Sequence, residues 1–119
     1  MASMLVIGLG RFGKHLSIEL AKLEHQVLVI DTDQSEVNKI APLVTAAQIG
    51  NCMDIEVLRK AGVRQFDVCF VCISDNFQSS LEITSLLKEL GAAYVVAKAD
   101  RDIHAEFLLK VGADDVVYP

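Results

Sequence analysis

Three glycines near the start of the chain have the spacing of a phosphate-binding turn. Gly8, Gly10 and Gly13 form the pattern G-x-G-x-x-G directly after a short apolar run. In such a turn the first glycine allows a sharp bend out of a strand, the second lets a pyrophosphate approach the backbone, and the third lets the next helix pack closely. The N–H groups at the start of that helix favour negative charge. The pattern therefore predicts a site for the phosphates of a nucleotide.

An acidic residue follows the next apolar run, where a ribose contact is expected. Asp31 ends the run V-L-V-I-D, 18 residues beyond Gly13. A carboxylate at this place can accept hydrogen bonds from the hydroxyls of an adenosine ribose. It would repel a 2′-phosphate, and no arginine follows it, so NADP is disfavoured. The alternative for Asp31 is a turn or a helix cap, a role that Asp33 or Ser35 could equally fill.

Helical and strand patterns alternate along the whole chain. Apolar residues at spacings of four, four and three predict a first helix, and three later helices end at glycines, which favour the left-handed cap conformation. The later helices are predicted at Ser35–Ala41, Ile55–Ala61, Phe77–Leu90 and Asp102–Val111, and the later strands at Val27–Asp31, Ala46–Ile49, Val68–Ile73, Tyr94–Ala97 and Val116–Tyr118. We expect a single α/β domain, a Rossmann-like, doubly wound parallel sheet of six strands.

The composition narrows the classes of protein that remain. The chain has 119 residues, 52% of them hydrophobic, and a formal net charge of −5. This length suits one domain with a real core, and the acidic balance argues against a nucleic-acid partner. No apolar run reaches the roughly 18 residues of a membrane span, and no signal-peptide pattern precedes the glycine turn. We therefore expect a soluble cytoplasmic protein.

Cysteine and histidine usage gives no metal or redox site. Cys69 and Cys72 match C-x-x-C, but they lie in an apolar run that reads as a central strand. Residues three apart in a strand point to opposite faces and lie roughly 10 Å apart, too far for a disulfide. The cysteines are therefore predicted to fill the core, and the three scattered histidines to lie on the surface or in packing contacts.

Four small or polar clusters follow predicted strands. They are the Gly8–Gly13 turn, Asp31-Thr32, Gly50-Asn51-Cys52 and Ser74-Asp75-Asn76. Ligands of doubly wound sheets bind at the carboxyl ends of the strands, so we expect these clusters to form one site. Asp54 and Asn76 also stand where helix caps belong, and capping is compatible with ligand contact.

One motif raises the possibility of catalysis. Tyr94 and Lys98 spell Y-x-x-x-K, a pairing that short-chain dehydrogenases use to activate a hydroxyl. Those enzymes place the pair one helical turn apart, whereas this segment reads as a strand, where the two would be roughly 13 Å apart. We therefore expect no enzyme activity. The alternative is a small NAD-dependent oxidoreductase, or the nucleotide-binding half of a larger enzyme.

The motifs together resemble one family. The order V-I-G-L-G-R-F-G, L-V-I-D, G-N-C-M-D, V-C-I-S-D-N-F-Q-S-S, V-V-A-K-A and V-G-A-D-D-V-V-Y-P is similar to the RCK-N domain, also called KTN or TrkA-N, of KtrA- and TrkA-type proteins. The resemblance covers essentially the entire chain, residues 1–119. It implies a regulatory subunit that binds NAD(H), ATP or ADP, lies on the cytoplasmic side of the membrane, and gates a membrane-embedded potassium transporter as a homodimer or an octameric ring.

The resemblance also implies roles for individual residues. Arg11 and Phe12 would join the three glycines at the phosphates, and Lys98 would reach toward the terminal phosphates or a neighbouring subunit. Asn51 and Cys52 would flank the adenine. The far side of the pocket would be lined by Ile73, Ser74, Asp75, Asn76 and Gln78.

Two features depart from the family pattern. Longer members continue past Pro119 into a linker helix and an RCK-C domain, so we expect either a natural half-length protein or a truncated one. Cys52-Met53 stands where members commonly carry small or hydroxyl residues.

The helix predicted at Phe77–Leu90 looks unusually apolar around its circumference. Its two apolar stripes are wider than packing on one sheet face requires. One stripe holds Phe77, Leu81, Thr84 and Leu87, and the other Ile83, Leu86 and Leu90. We expect exposed apolar area on this helix and an interface between subunits there; the alternative is a helix that is simply well buried.

Overall fold

Six parallel strands form one sheet, and the computed structural model describes all residues 1–119. The strands are β1 (Ser3–Ile7), β2 (Gln26–Asp31), β3 (Ala46–Ile49), β4 (Val68–Val71), β5 (Val95–Lys98) and β6 (Asp115–Val117). Their order across the sheet is β3-β2-β1-β4-β5-β6. The chain moves outward from β1 first to one side and then to the other, which confirms the doubly wound α/β class.

Five helices connect the strands. They are α1 (Arg11–Lys22), α2 (Gln34–Ile40), α3 (Ile55–Ala61), α4 (Phe77–Glu89) and α5 (Asp102–Lys110). Single turns of 3-10 helix follow α2 and α3, at Ala41–Leu43 and Val63–Gln65. None of the helices combines the length and the apolar character needed to cross a membrane.

The central strands are apolar because helices cover both of their faces. In β1 the residues from Met4 to Ile7 are all buried, and the register places Leu5 between Leu28 of β2 and Cys69 of β4. A parallel strand in this position has no solvated face, so its sequence reads as a continuous apolar run. The continuous apolar run that predicts a buried strand thus belongs to β1, which leads into the glycine turn.

Alternating side chains divide the interior into two clusters, one on each face of the sheet. Cys69 belongs to the larger cluster, with Leu87 and Leu108 at its centre, and Cys72 belongs to the smaller cluster beneath α1 and α2. All three cysteines are free. The prediction that Cys69 and Cys72 fill the core on opposite faces of the sheet is therefore confirmed.

Most predicted element boundaries agree with the structure, but β4 is shorter than expected. It ends at Val71 rather than at Ile73. Val71 pairs with Ile7, the last residue of β1, and beyond this pair the chain of β1 turns away at Gly8. The pairing of β4 with β1 therefore ends at Val71, and residues 72–76 build the loop before α4.

The expectation of exposed apolar area on α4 is wrong. Ile83, Thr84 and Leu87 are buried, and the helix's other apolar residues pack partly buried against the larger core cluster. The neighbouring helix α5 does carry exposed apolar residues, among them Ile103 and Phe107, one turn apart. The wide stripe of α4 arises because this helix packs both on the sheet and against α5.

Asp114 ties the last turn of the chain to the sheet and provides a test of acid stability. Its carboxylate accepts a hydrogen bond from the Val95 N–H at 2.7 Å and pairs with Lys88 at 2.9 Å. The Val95 N–H, and then Lys88, hold the pKa of this carboxyl below its ordinary value of 3.8. A lowered pKa in the folded state stabilises the fold above the unfolded-state pKa, and this stability is lost as the pH falls through the lowered value.

We therefore expect Asp114→Asn to reduce the unfolding free energy at neutral pH and to lose less stability than the wild type below about pH 4. Urea titrations from pH 7 to pH 2 measure this difference. Asp115→Asn is the matched control, because the Asp115 side chain bonds only the next N–H, that of Val116. Parallel acid curves for wild type and Asp114→Asn would contradict the assignment.

Candidate nucleotide-binding site

The glycine turn lies where three chain segments approach one another closely. Gly8 has φ +102°, and a Cβ there would lie 2.6 Å from the carbonyl oxygen of Cys72. A Cβ on Gly13 would collide with the Gly8 carbonyl oxygen. The first and third glycines are therefore needed by the fold itself, since β1, the residue after β4 and the first turn of α1 leave no room for side chains.

Gly10 has a different environment from the other two glycines. Its φ of −64° is open to any residue, and an added Cβ would meet only the side-chain hydroxyl of Ser74, which is exposed and can rotate. The fold therefore tolerates a side chain at position 10 far better than at position 8 or 13. Its missing side chain leaves free the space in front of α1.

The start of α1 offers its N–H groups to a ligand. No side chain caps this helix, whose N-cap is Gly10. The side chains of Asp33, Asp54 and Asn76 cap α2, α3 and α4, whereas α5 also lacks a side-chain cap. The first-turn N–H groups of a helix have no intrahelical partner, and the macrodipole makes them a favourable place for an anion.

Asp31 holds the glycine turn against the end of β2. One carboxylate oxygen accepts from the Leu9 N–H at 2.6 Å, and the other accepts from the Asp33 N–H at 2.8 Å. The turn role considered for Asp31 is therefore real, while the cap of α2 is Asp33. Each carboxylate oxygen can accept more than one hydrogen bond, so acceptor capacity remains for a ribose hydroxyl.

The opposite side of the site is built from two capped loops. Asn51 accepts from the Met53 N–H at 3.0 Å, and Asp54 accepts from the Glu56 N–H at 3.0 Å. Asn76 accepts from the Ser79 N–H at 3.1 Å. The capping predicted for Asp54 and Asn76 is confirmed, and the Ser74 hydroxyl of the same loop lies close to Gly10.

These segments enclose a cavity of about 500 Å³, which we call the main cavity. A volume of this size lies within the usual range of small-molecule sites, about 300–1,000 Å³. Its lining includes Gly8, Gly10, Asp31, Thr32, Asn51, Cys52, Ile73, Ser74, Asp75 and Asn76, all predicted from the sequence. The four clusters that follow strands thus meet at one edge of the sheet, as expected.

One rim of the main cavity is acidic. Asp31, Asp33 and Glu36 all line it near the end of β2. The Lys14 side chain lies 2.7 Å from Glu36, and its hydrogen bond lowers the pKa of that carboxyl. Lys39 approaches the same carboxylate at 3.7 Å. The rim therefore carries three carboxyl groups, and the two lysines near Glu36 are both paired with it.

A second cavity of about 210 Å³ adjoins the first. The two share the loop from Ile73 to Asn76. Lys98 lines the second cavity with a side chain that is 6% exposed, and its ammonium lies 3.1 Å from Asp100. His104 stacks on Phe77 at its rim, with ring centroids 3.8 Å apart. Lys98 thus belongs to this neighbouring cavity, not to the main one.

Four of the predicted site residues line neither cavity. Gly13 is buried in the turn, Phe12 packs on the smaller core cluster, and Arg11 and Gln78 are exposed. Arg11 and Gln78 nevertheless sit in the first turns of α1 and α4, close to the site in sequence. Their roles as ligand contacts stay predictions.

Sequence reasoning missed lining residues that lie one helical turn beyond a cap. Glu36 and Ser79 each follow their capping residue, Asp33 or Asn76, by three positions, and Ile83 lies one further turn along α4. The signal was available, because residues three or four apart share a helix face. Met53 also lines the main cavity, although only its neighbours were predicted to do so.

The segment with the Y-x-x-x-K pattern is extended. Val95–Lys98 is strand β5, Tyr94 is exposed just before it, and Lys98 is buried at its end. The two side chains therefore do not share the face of a helix. This geometry removes the sequence feature that pointed to dehydrogenase chemistry.

Comparison with known proteins identifies the family. The model of the TrkA-N domain matches residues 4–119. The chain belongs to the TrkA-N domain family. It is 41% identical to Ktr system potassium uptake protein C and 40% identical to Ktr system potassium uptake protein A, both of Bacillus subtilis, over 114 residues in each case. These matches cover 96% of this chain and 52% and 51% of the two relatives. The chain therefore spans about half the length of the curated relatives it matches.

Solved structures share the fold. The TrkA-N domain of the inner membrane protein ybaL from Escherichia coli superposes with a TM-score of 0.88 at 22% identity, over 99% of this chain and 88% of that one. The GsuK channel bound to NAD gives a TM-score of 0.84 at 18% identity, over 98% and 21%. The Kef C-terminal domain of Shewanella denitrificans in its AMP-bound form gives 0.81 at 21% identity, over 98% and 71%. This TrkA-N chain thus has the family's fold throughout.

The different surroundings of Gly10 and Gly13 provide a paired test. We expect Gly10→Val to remain folded, because only the Ser74 hydroxyl must move, and to lose detectable binding of ADP. Gly13→Ala should instead lower the unfolding free energy by about 1–3 kcal/mol, the usual cost of overpacking, because its Cβ meets a backbone carbonyl. Circular dichroism melts and calorimetric titration with ADP measure the two effects. A folded Gly10→Val variant that binds ADP normally would rule out phosphate binding at this turn.

Proposed function

We propose that this chain is the nucleotide-sensing domain of a potassium uptake regulator. The observation that carries the proposal is the main cavity, in which the uncapped start of α1 faces space beside the Asp31 carboxylate. An anion acceptor and a hydroxyl-binding carboxylate at one strand edge are the two requirements of an adenosine nucleotide. The names of the Ktr relatives support a role in potassium uptake.

The geometry favours one orientation of the nucleotide. The phosphates lie before Gly10 and the start of α1, with Arg11 available from the first turn. The ribose hydroxyls bond Asp31 and Thr32. The adenine enters between Asn51-Cys52 and the residues that follow β4, where Cys52, Ile73 and Ile83 provide apolar contact.

The ligand is an adenine nucleotide of the NAD(H), ATP or ADP type. The neighbours solved with NAD, ADP and AMP share the adenosine monophosphate half that the main cavity would bind. The acidic rim at Asp31, Asp33 and Glu36 disfavours the additional phosphate of NADP. Lys98 is almost buried beside the second cavity. It would contact the part of the ligand beyond the first phosphates, which is either the terminal phosphates or a second nucleoside.

In this proposal the nucleotide regulates a partner and undergoes no reaction. The domain lies at the cytoplasmic face of the membrane through a potassium transporter subunit, and residues 1–119 act as one nucleotide-binding unit. Binding closes the β3–α3 and β4–α4 loops on the ligand, and this movement changes the contacts between subunits. Mass spectrometry of the small molecules released from denatured protein gives a direct test. An adenine nucleotide supports the proposal, whereas protein that binds none of NAD, ATP, ADP or AMP would exclude it.

The negative charge of Asp31 can be tested with a variant that keeps the shape of the side chain. Asp31→Asn keeps an oxygen for the Leu9 or Asp33 N–H but removes the charge that accepts from the ribose. We expect ADP and NAD to bind about 1.5–3 kcal/mol more weakly, the value of a hydrogen bond to a charged group. The loss for NADP should be smaller, because the same charge repels its 2′-phosphate. Calorimetric titration of the folded variant measures all three affinities.

Asp67→Asn is the matched control for this variant. Asp67 also accepts a backbone N–H of β1, that of Ser3 at 2.7 Å, but it lies at the opposite end of the sheet. We expect its affinities to equal those of the wild type. An Asp31→Asn protein that binds ADP as tightly as Asp67→Asn does would remove the ribose assignment.

We propose that subunits assemble through α5 in a homodimer, and that dimers build an octameric ring. Ile103 and Phe107 lie one turn apart on its outer face and are 41% and 43% exposed, and Val111 extends the stripe by another turn. An exposed apolar stripe of this kind is typical of an interface. His104 on the same helix stacks on Phe77, which follows the cavity loop. A nucleotide in the second cavity would therefore lie close to the subunit boundary.

Light scattering over a concentration series tests this assembly. We expect the wild type to dimerise and Phe107→Glu to shift toward monomer by at least tenfold in dissociation constant, since a buried charge without a partner is costly. Leu43→Glu, a similarly exposed apolar residue before the edge strand β3, should leave the dimer intact. A wild type that stays monomeric at high concentration, with and without nucleotide, would exclude assembly through α5.

A further inference from the structure

Met53 and Ser79 form a contact across the main cavity, which we call the strap. Met53 lies in the loop between β3 and α3, and Ser79 lies in the first turn of α4. The Ser79 hydroxyl donates to the Met53 sulfur at 3.2 Å, and both residues line the cavity. The strap therefore joins the β3–α3 loop to the start of α4 across the main cavity.

Met53 carries the oxidisable sulfur of this site. The chain has three cysteines and three methionines. Cys52 and Cys72 also line the cavity, but they are 4% and 2% exposed, and burial raises the pKa of both thiols to about 12. Thiols in this state are poor nucleophiles toward oxidants. Met53 is 38% exposed, and away from the cavity only the terminal Met1 is more accessible, since Met4 is buried.

We propose that Met53 is a reversible oxidation site whose sulfoxide tightens the strap and slows nucleotide exchange. A hydroperoxide is the oxidant: the sulfur lone pair attacks its O–O bond, an S=O bond forms, and the peroxide is reduced to water or an alcohol. The thioether loses two electrons and the proton balance is unchanged. Methionine sulfoxide reductases reverse the step.

The effect on exchange follows from the acceptor strength of the two forms. A thioether sulfur is a weak acceptor, so the Ser79 hydroxyl holds the reduced strap loosely. The sulfoxide oxygen is polar and accepts the same hydroxyl strongly. Oxidation thus replaces a weak hydrogen bond between the β3–α3 loop and the start of α4 with a stronger one. The predicted slowing of nucleotide exchange rests on the proposed function. The stronger contact between oxidised Met53 and Ser79 does not.

Site selectivity is tested first. The complete chain is treated with hydrogen peroxide under native conditions and digested for peptide mass spectrometry. We expect sulfoxide at Met53 and Met1, with Met4 and the three cysteines unmodified. Oxidation of Met1 that leaves Met53 reduced would overturn the proposal.

Strap closure is then measured without any nucleotide. Amide hydrogen exchange in residues 51–54 should be about three- to tenfold slower in the oxidised wild type than in the reduced one, on the scale of one hydrogen bond with a strong acceptor. Ser79→Ala leaves Met53 oxidisable but removes the donor, so its exchange should not slow. Equal exchange before and after oxidation of the wild type would contradict the strap.

Release of methylanthraniloyl-ADP, displaced by excess ADP in a stopped-flow instrument, measures the functional effect. We expect release to slow by about three- to tenfold on oxidation and to recover after treatment with methionine sulfoxide reductases. Each variant is compared with itself: neither Met53→Leu nor Ser79→Ala should change its rate on exposure to peroxide. Slowing that persists in Ser79→Ala, or faster release from oxidised wild type, would overturn the proposal. If the reduced wild type binds no nucleotide, the proposed function fails, while hydrogen exchange still decides the strap.

Discussion

The close approach of backbone to backbone around Gly8 is the constraint on which the rest of the site depends. The Cys72 carbonyl occupies the space of a Gly8 side chain, and the Gly8 carbonyl occupies that of Gly13. Because Gly8 and Gly13 have no side chains, the end of β1, the first turn of α1 and the residue after β4 can all lie close to Gly8. The start of α1 is thereby held in front of an open cavity, where its free N–H groups can stabilise an anion.

Asp31, at the end of β2, fixes the position of the glycine turn relative to the neighbouring strand. Its carboxylate bonds the Leu9 N–H on one side and the Asp33 N–H on the other, so the glycine turn and the start of α2 are held by a single side chain. The residue therefore has a structural role of its own at the edge of the site. Ion pairing of Lys14 with Glu36 then joins α1 to α2 across the same rim. The glycine-turn side of the site is thus held in place by contacts within the chain itself.

The fold and the main features of the site follow from local sequence patterns. The apolar runs, the glycine spacing, the helix-ending glycines with positive φ and the capping residues Asp54 and Asn76 each depend on a few neighbouring positions. The carboxyl edge could also be predicted, because parallel strands place their ends together. Even so, the apolar run predicts β4 to end at Ile73, whereas its pairing with β1 stops at Val71, a limit that its own residues do not reveal.

The sequence by itself determined the order of elements, the sheet class, and which clusters follow the strands. Only the tertiary structure decided which apolar surface is free: α4 is covered by the sheet and by α5, so the exposed stripe lies on α5 instead. It likewise placed Lys98 in a second cavity and brought Met53 against Ser79, 26 positions apart. The physical reason is that periodicity reports the apolar face of an element, whereas exposure depends on every element packed against that face.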